Sequence, residues 1–206
     1  MRSAFWIATT AAVLLFFGAG APSAKACGFD GLLGGGFSAA HPRSMMVAFA
    51  ISDAVAAGLI DKSTTDPILP GSAGYWRAVG RLNAFQRLLS STPAVEGQSP
   101  AISILFIDSN LWARLSPGRQ NYELQAHTSG ALPGDTVIVT SEAILAALLN
   151  GTMQARTALD LGLITIDGDK AEAEIMRRAI VEAINRPAGV AGSRSVMPVR
   201  LFGAPR

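Results

Sequence analysis

Apolar residues recur at helical spacing in two stretches of the N-terminal half of the chain. The first stretch begins at His41-Pro42, repeats an apolar residue every four positions from Val47, and ends near Gly58. The second covers residues 75–89, with Trp76, Val79, Leu82, Phe85 and Leu89 on one side. Each pattern predicts an amphipathic helix that buries one face.

Short apolar runs in the middle of the chain predict a β-sheet. Residues 101–107 are rich in isoleucine, which is typical of a strand buried on both faces. Residues 111–115 and 136–139 are similar, residues 122–127 alternate between apolar and polar positions, and residues 163–166 give a last strand. Pro-Gly and Gly-Asp pairs separate these runs as turns.

Three further helices are expected in the C-terminal half. Thr140 or Ser141 can cap a helix that ends at Gly151, and Thr152 can cap a shorter one that ends at Gly162. Asp169 opens the last helix, with Glu172 at capping-box spacing and Glu174, Arg178 and Glu182 placed for pairs on the wet side.

The N-terminus has the order of a secretory signal. Arg2 is followed by no charged residue until Lys25, the densest apolar run is 11–17, and Ala24-Lys25-Ala26 offers small side chains for cleavage. The apolar run is shorter than a membrane span and is interrupted by glycine, so we favour cleavage after residue 26 over a retained anchor. No later stretch is apolar enough to span a membrane, and we expect a periplasmic or secreted protein.

The single cysteine, Cys27, would then be the first residue of the mature chain. A lipidated bacterial N-terminus would place its cysteine here, but leucine is missing three positions earlier and a lysine replaces a small residue. We therefore favour plain cleavage over lipidation, which leaves a free thiol or an intermolecular disulfide.

Charge excludes a nucleic-acid partner by simple electrostatics. The full chain has 17 basic and 15 acidic residues, and removal of Arg2 and Lys25 with the signal leaves 15 of each. No basic run stands in the region expected to fold. The segments 27–40 and 186–206 are rich in glycine or proline and are expected to be a leader and a basic tail.

Catalytic chemistry has little support in the sequence. The only histidines, His41 and His127, stand far apart, and no cysteine or carboxylate cluster has metal-ligand spacing. A Cys27–His127 nucleophile pair would place the thiol on a glycine-rich leader, and Asp167 and Asp169 are expected in a turn and a cap. We predict no enzyme activity, no metal and no cofactor.

The segment 133–184, PGDTVIVTSEAILAALLNGTMQARTALDLGLITIDGDKAEAEIMRRAIVEAI, resembles the C-terminal half of the sterol carrier protein type two (SCP2-like) domain. The order strand, capped helix, glycine, short helix, glycine, strand, Gly-Asp and amphipathic helix carries the likeness, which extends less closely to residue 75. It implies an α+β fold in which one layer of mostly antiparallel sheet packs against helices. The domains would be 1–26 (signal), 27–40 (leader), 41–74 (added helix and loop), 75–185 (sterol-carrier-like) and 186–206 (tail).

The resemblance also implies non-covalent binding of a lipid or other hydrophobic molecule in an apolar tunnel. Twelve apolar residues are candidates to line it: Leu105, Ile107, Trp112, Val137, Val139, Leu145, Leu148, Leu149, Met153, Ile164, Ile175 and Met176. The same residues would also make an ordinary packed core. The alternative function is a periplasmic accessory protein that uses the fold as a scaffold for a protein partner.

The mature protein is predicted to begin at Cys27. Intact-mass measurement of the protein purified from its own host should give the mass of residues 27–206. A mass that includes residues 1–26 would contradict cleavage, and a mass raised by acyl groups would show that Cys27 is lipidated.

Overall fold

Five strands form one sheet, with helices before, between and after them. The computed structural model describes residues 40–60, 72–92, 100–119 and 121–186. The signal, the leader with Cys27, and the tail lie outside these residues. In chain order the elements are α1 Ser44–Ala56, α2 Ser72–Ser90, β1 Ile102–Phe106, β2 Leu111–Pro117, β3 Tyr122–Ala126, β4 Thr136–Thr140, α3 Glu142–Leu149, α4 Ala155–Asp160, β5 Thr165–Asp167 and α5 Lys170–Asn185.

The strand order in the sheet is β3-β2-β1-β4-β5. The central β1 and β4 run parallel, and the other three pairings are antiparallel. The predicted fold class, an α+β protein with one mostly antiparallel sheet packed against helices, is therefore confirmed. No helix in the described ranges is long and apolar enough to cross a membrane.

The main core lies between one face of the sheet and the helices α2 to α5, and Ala54 of α1 and Ile60 join it at one margin. Its centre is formed by fully buried side chains from each layer, among them Leu82, Ile104, Phe106, Ile144 and Ile180. Ser141 accepts a hydrogen bond from the Ile144 amide at 3.2 Å and so caps α3, as the sequence predicted. We call this side of the sheet the four-helix face.

Side chains of alternate residues in β1 and β4 point to the opposite face. There Leu105, Ile107, Trp112, Val137 and Val139 pack with Val47 of α1 into a second group of buried apolar residues. We call these six residues the α1 cluster, and this side of the sheet the α1 face. The strand 102–106 is buried at every position, as expected for a strand covered on both faces.

A buried ion pair fixes the polar half of the α1 face. Arg114 donates from Nε and Nη2 to the two carboxylate oxygens of Asp135, both at 2.9 Å, and Ser103 Oγ donates at 2.7 Å. The Leu132 amide also donates to Asp135, at 3.2 Å, so the β3–β4 connection is tied to this carboxylate. The Arg114 guanidinium holds the pKa of Asp135 below its usual value, despite burial.

Several local predictions were wrong for identifiable reasons. The strand expected at 163–166 begins at Thr165, because the Leu163 and Ile164 amides donate to the Ala158 carbonyl and close α4. Thr152 does not cap α4; its hydroxyl donates to Ala147 at the end of α3, and Gln154 stands at the N-cap.

Two surface predictions on the helices also need correction. Trp76 was placed on the buried face of α2 but is 66% exposed, and Ala78 takes a buried position instead. On α5, Asp169 caps the helix as predicted, but Glu172 accepts from Thr136. The ion pairs of α5 are Glu174–Arg177 and Glu182–Arg186 rather than the two pairs through Arg178.

Candidate functional site

The α1 cluster is an apolar surface with a thin cover. In the described residues, the apolar side chains that pack on it from outside the sheet all come from α1: buried Val47, and partly buried Ala48 and Ile51. Ala54 belongs to the main core, and Ala50, Ile51 and Val55 pack against it, so α1 lies across one margin of the sheet. Among the described elements, α1 alone supplies the apolar cover of this face.

The start of α1 depends on one histidine. The N-cap residue Arg43 makes no side-chain cap, and the first turn contains no acidic residue. Instead, Nδ1 of His41 accepts a hydrogen bond from the Arg43 amide at 3.1 Å, while Nε2 lies 3.7 Å from Asp167 of β5. Burial lowers the pKa of His41, an effect that Asp167 opposes and Arg43 reinforces. The neutral imidazole is thus the form that holds this end of α1.

The outer face of α1 is also apolar. Met45, Met46 and Phe49 are each more than half exposed, and Leu59 beyond the helix end is 59% exposed. A helix that is apolar on both sides is unusual at a protein surface. Exposed apolar residues next to a buried apolar cluster are typical of contact sites, so this margin is the candidate functional site.

The sheet divides eleven of the twelve predicted lining residues into two groups. Leu105, Ile107, Trp112, Val137 and Val139 lie together in the α1 cluster. A second group belongs to the main core or packs against it, on the four-helix face: Leu145, Leu148, Leu149, Met153, Ile164 and Met176. Ile175 belongs to neither group. The twelve residues therefore do not surround one common space, and their role in ligand binding stays a prediction.

A buried group of charges joins α2 to the start of α3. Glu142 accepts from Nε and Nη2 of Arg77 at 2.8 and 3.3 Å, and from Nη1 of Arg81 at 2.5 Å. Arg77 and Arg81 are one helical turn apart on α2, so both reach the same carboxylate. This arrangement was not predicted from the sequence. Its one local sign was the spacing of Arg77 and Arg81, which places both on the same side of a helix.

Asp108 lies beside this group at the end of β1. Its Oδ2 accepts from the Glu142 amide at 2.9 Å, so it stabilises the N-terminus of α3 together with Ser141. Its Oδ1 is buried without a hydrogen-bond partner among the described residues, as is Ser109 Oγ. Burial, and then the neighbouring Glu142 carboxylate, raise the pKa of Asp108 to about 6. The sequence indicated only a turn here.

The two histidines and the cysteine do not form a site in the described structure. His127 is exposed, as predicted, with a positive φ of 63°, and its ring lies 6.3 Å from that of Tyr75. Cys27 lies outside the described residues. Within the described ranges, no group of three histidine, cysteine or acidic side chains could hold a metal ion.

No protein-family model and no curated protein matches the chain. Among solved structures, sterol carrier protein 2 like 2 from Aedes aegypti is 10% identical, with 50% of this chain and 96% of that one covered at a TM-score of 0.40. Sterol carrier protein 2 from Yarrowia lipolytica, in its apo form, is 15% identical over 73% of this chain and 95% of that one, at 0.31.

A sec-alkylsulfatase from Pseudomonas sp. is also similar, at 16% identity and a TM-score of 0.38 over 48% of this chain. The chain spans only 15% of that enzyme's length. All of these likenesses are remote and partial.

Asp108 makes a testable contribution to stability. Its pKa is about 6 in the folded protein and near 3.8 in an unfolded chain, so the folded state binds the extra proton between these values. Stability is therefore lost as the pH rises from about 4 through 6. Asp108→Asn should remove this loss. The free energy of unfolding of the variant, relative to that of the natural protein, should therefore rise by on the order of 2–3 kcal/mol between pH 4 and pH 7.5.

Urea unfolding at a series of pH values measures this difference. The exposed Asp53→Asn is the matched control, and it should leave the pH profile as in the natural protein. An Asp108→Asn profile parallel to that of the natural protein would show that Asp108 carries no buried charge.

Proposed function

We propose that this protein is an exported carrier that binds a hydrophobic molecule, such as an acyl chain, between α1 and the sheet. One observation carries the proposal: five buried apolar residues on the α1 face of the sheet are covered, within the described part of the chain, by apolar side chains of a single helix. Apolar sites with few polar groups are typical of lipid-binding proteins.

A long acyl chain would offset the cost of displacing α1. Separation of α1 exposes more than Val47, since Ala54 is also buried and Ala50, Ile51 and Val55 pack against the main core. The cost is therefore several times the roughly 1.5–3 kcal/mol of one buried aliphatic side chain. A helix of 13 residues without a side-chain cap has little stability of its own. An acyl chain gains about 0.8 kcal/mol for each buried CH₂, so a long chain that buries on the order of ten carbons would offset this cost.

The proposed role is binding without catalysis. The α1 cluster consists of apolar side chains, which can hold a chain but cannot move a proton or attack a bond. The carboxylate of Glu142 is already occupied by Arg77 and Arg81. Residues 1–26 support export, because their order of charge, apolar run and small residues is that of a signal peptide.

Two neighbouring residues of α1 provide a matched test. Val47 is fully buried against the sheet and Met46 is 55% exposed, so Val47→Asp and Met46→Asp add the same charge to opposite faces of the helix. Val47→Asp should weaken binding of a fluorescent fatty acid by roughly tenfold or more, since a carboxylate would enter the apolar site. Met46→Asp should bind within about twofold of the natural protein.

The readouts are fluorescence titration and native mass spectrometry, with circular dichroism to confirm that both variants retain the sheet. Equal binding by both variants, or no binding by the natural protein, would contradict the proposed site.

The alternative role, an exported interaction protein, is favoured by the exposed Met45, Met46 and Phe49. In that case α1 would dock a protein partner by its outer face, and Met46→Asp would weaken the complex while Val47→Asp acted only through stability. The same pair of variants therefore separates the two functions.

A further inference from the structure

A groove of about 570 Å³ runs between α4 and α5, away from the α1 face. One wall is formed by side chains on one side of α5 from Glu174 onward, together with Arg186 just beyond the helix. The other wall is the exposed side of α4. Its apolar residues are Leu159, which is 8% exposed, and the half-buried Val181. The volume lies within the range of small-molecule sites.

The charges in the groove are unequal. Four arginines line it, against three acidic residues. Glu174 lies 3.7 Å from Arg177, and Glu182 lies 2.9 Å from Arg186, so these two arginines already have acidic partners. Arg186 is further held by the Ser91 carbonyl at the end of α2.

The remaining cations, Arg156 on α4 and Arg178 on α5, make no ion pair within the described residues. They lie on opposite walls of the groove. Guanidinium groups bind carboxylate and phosphate oxygens in a planar, two-pronged geometry. Asp160 also lines the groove but forms no ion pair with either arginine among the described residues, so the groove has a net positive charge. Two guanidinium groups beside an apolar strip match a molecule that has one anionic group and an apolar body.

We propose that the α4–α5 groove binds an amphiphilic anion, with its carboxylate or phosphate between Arg156 and Arg178 and its apolar part on Leu159 and Val181. The groove shares no residue with the α1 cluster, and its occupancy does not depend on the proposed function. Because fatty acids and lipid phosphates share this chemistry, the probes must separate them.

Amide NMR titrations of the full chain with decanoate, decyl phosphate, inorganic phosphate and decyl maltoside, below micellar concentrations, test the site. Decanoate and decyl phosphate should shift amides of residues 156–160 and 174–186. Inorganic phosphate should bind roughly tenfold more weakly, because it lacks the apolar part, and decyl maltoside should leave these amides unshifted. If decanoate binds more tightly, the natural ligand is a fatty acid, and if decyl phosphate binds more tightly, it is a lipid phosphate. Both results support the site.

Arg156→Ala with Arg178→Ala should weaken binding of both decyl probes by roughly tenfold. The matched control is Arg87→Ala with Arg119→Ala, which removes two exposed arginines outside the groove and should bind as the natural protein does. Val181→Thr, similar in size, should weaken the decyl probes but not inorganic phosphate.

Equal losses in the two double-arginine variants would overturn the proposal, since the effect would then follow net charge alone. Shifts confined to other elements, no shifts with any probe, or inorganic phosphate binding as tightly as decyl phosphate would also overturn it.

Discussion

The fold depends on the burial of β1 and β4 on both faces. These parallel central strands are buried at every position, so neither face of their side chains can be left to water. Helices α2 to α5 cover one face with a large core. The other face needs a separate cover, and among the described elements α1 supplies its apolar part. The two faces of the sheet therefore differ in how many helices pack on them.

The two covers differ in how firmly they are fixed. On the four-helix face, α2 and α3 are joined by a carboxylate that accepts from two arginines, and the start of α3 is held by Ser141 and Asp108. On the α1 face, the helix is held by buried Val47 and Ala54, by partly buried neighbours, and by one imidazole at its N-terminus. Local opening concentrates where buried contacts are fewest. We therefore expect the α1 margin to open more readily than the four-helix face.

The sequence predicted the elements well where local signals were strong. The isoleucine-rich run 101–107, the Ser141 and Asp169 caps, and the glycines after α3 and α4 all marked real boundaries. Side-chain alternation could also have separated Leu105 and Ile107 from the residues of α3, because positions two apart in a strand share a face. It could not show which helix covers that face, since this depends on contacts far apart in the chain.

Other features depend on tertiary contacts that no local pattern encodes. Trp76 fits the apolar stripe of α2 by spacing, yet it lies at the edge of the packed surface and is exposed. Asp108 has the sequence of an ordinary turn residue, and only its burial beside Glu142 alters its charge behaviour. The groove between α4 and α5 requires two helices to meet at a particular spacing.

The central claim is that an acyl chain lies against the α1 face, and Trp112 is a natural probe of it. Of the three tryptophans in the sequence, Trp6 lies in the segment expected to be removed, so Trp76→Phe leaves Trp112 as the single reporter in the mature chain. The bromine atoms of dibrominated stearate quench tryptophan fluorescence only at contact distance. Stearate has no bromine and does not quench, so it is the control. We predict strong, saturable quenching by the dibrominated acid and none by stearate. Binding of the dibrominated acid without quenching of Trp112 would contradict the account.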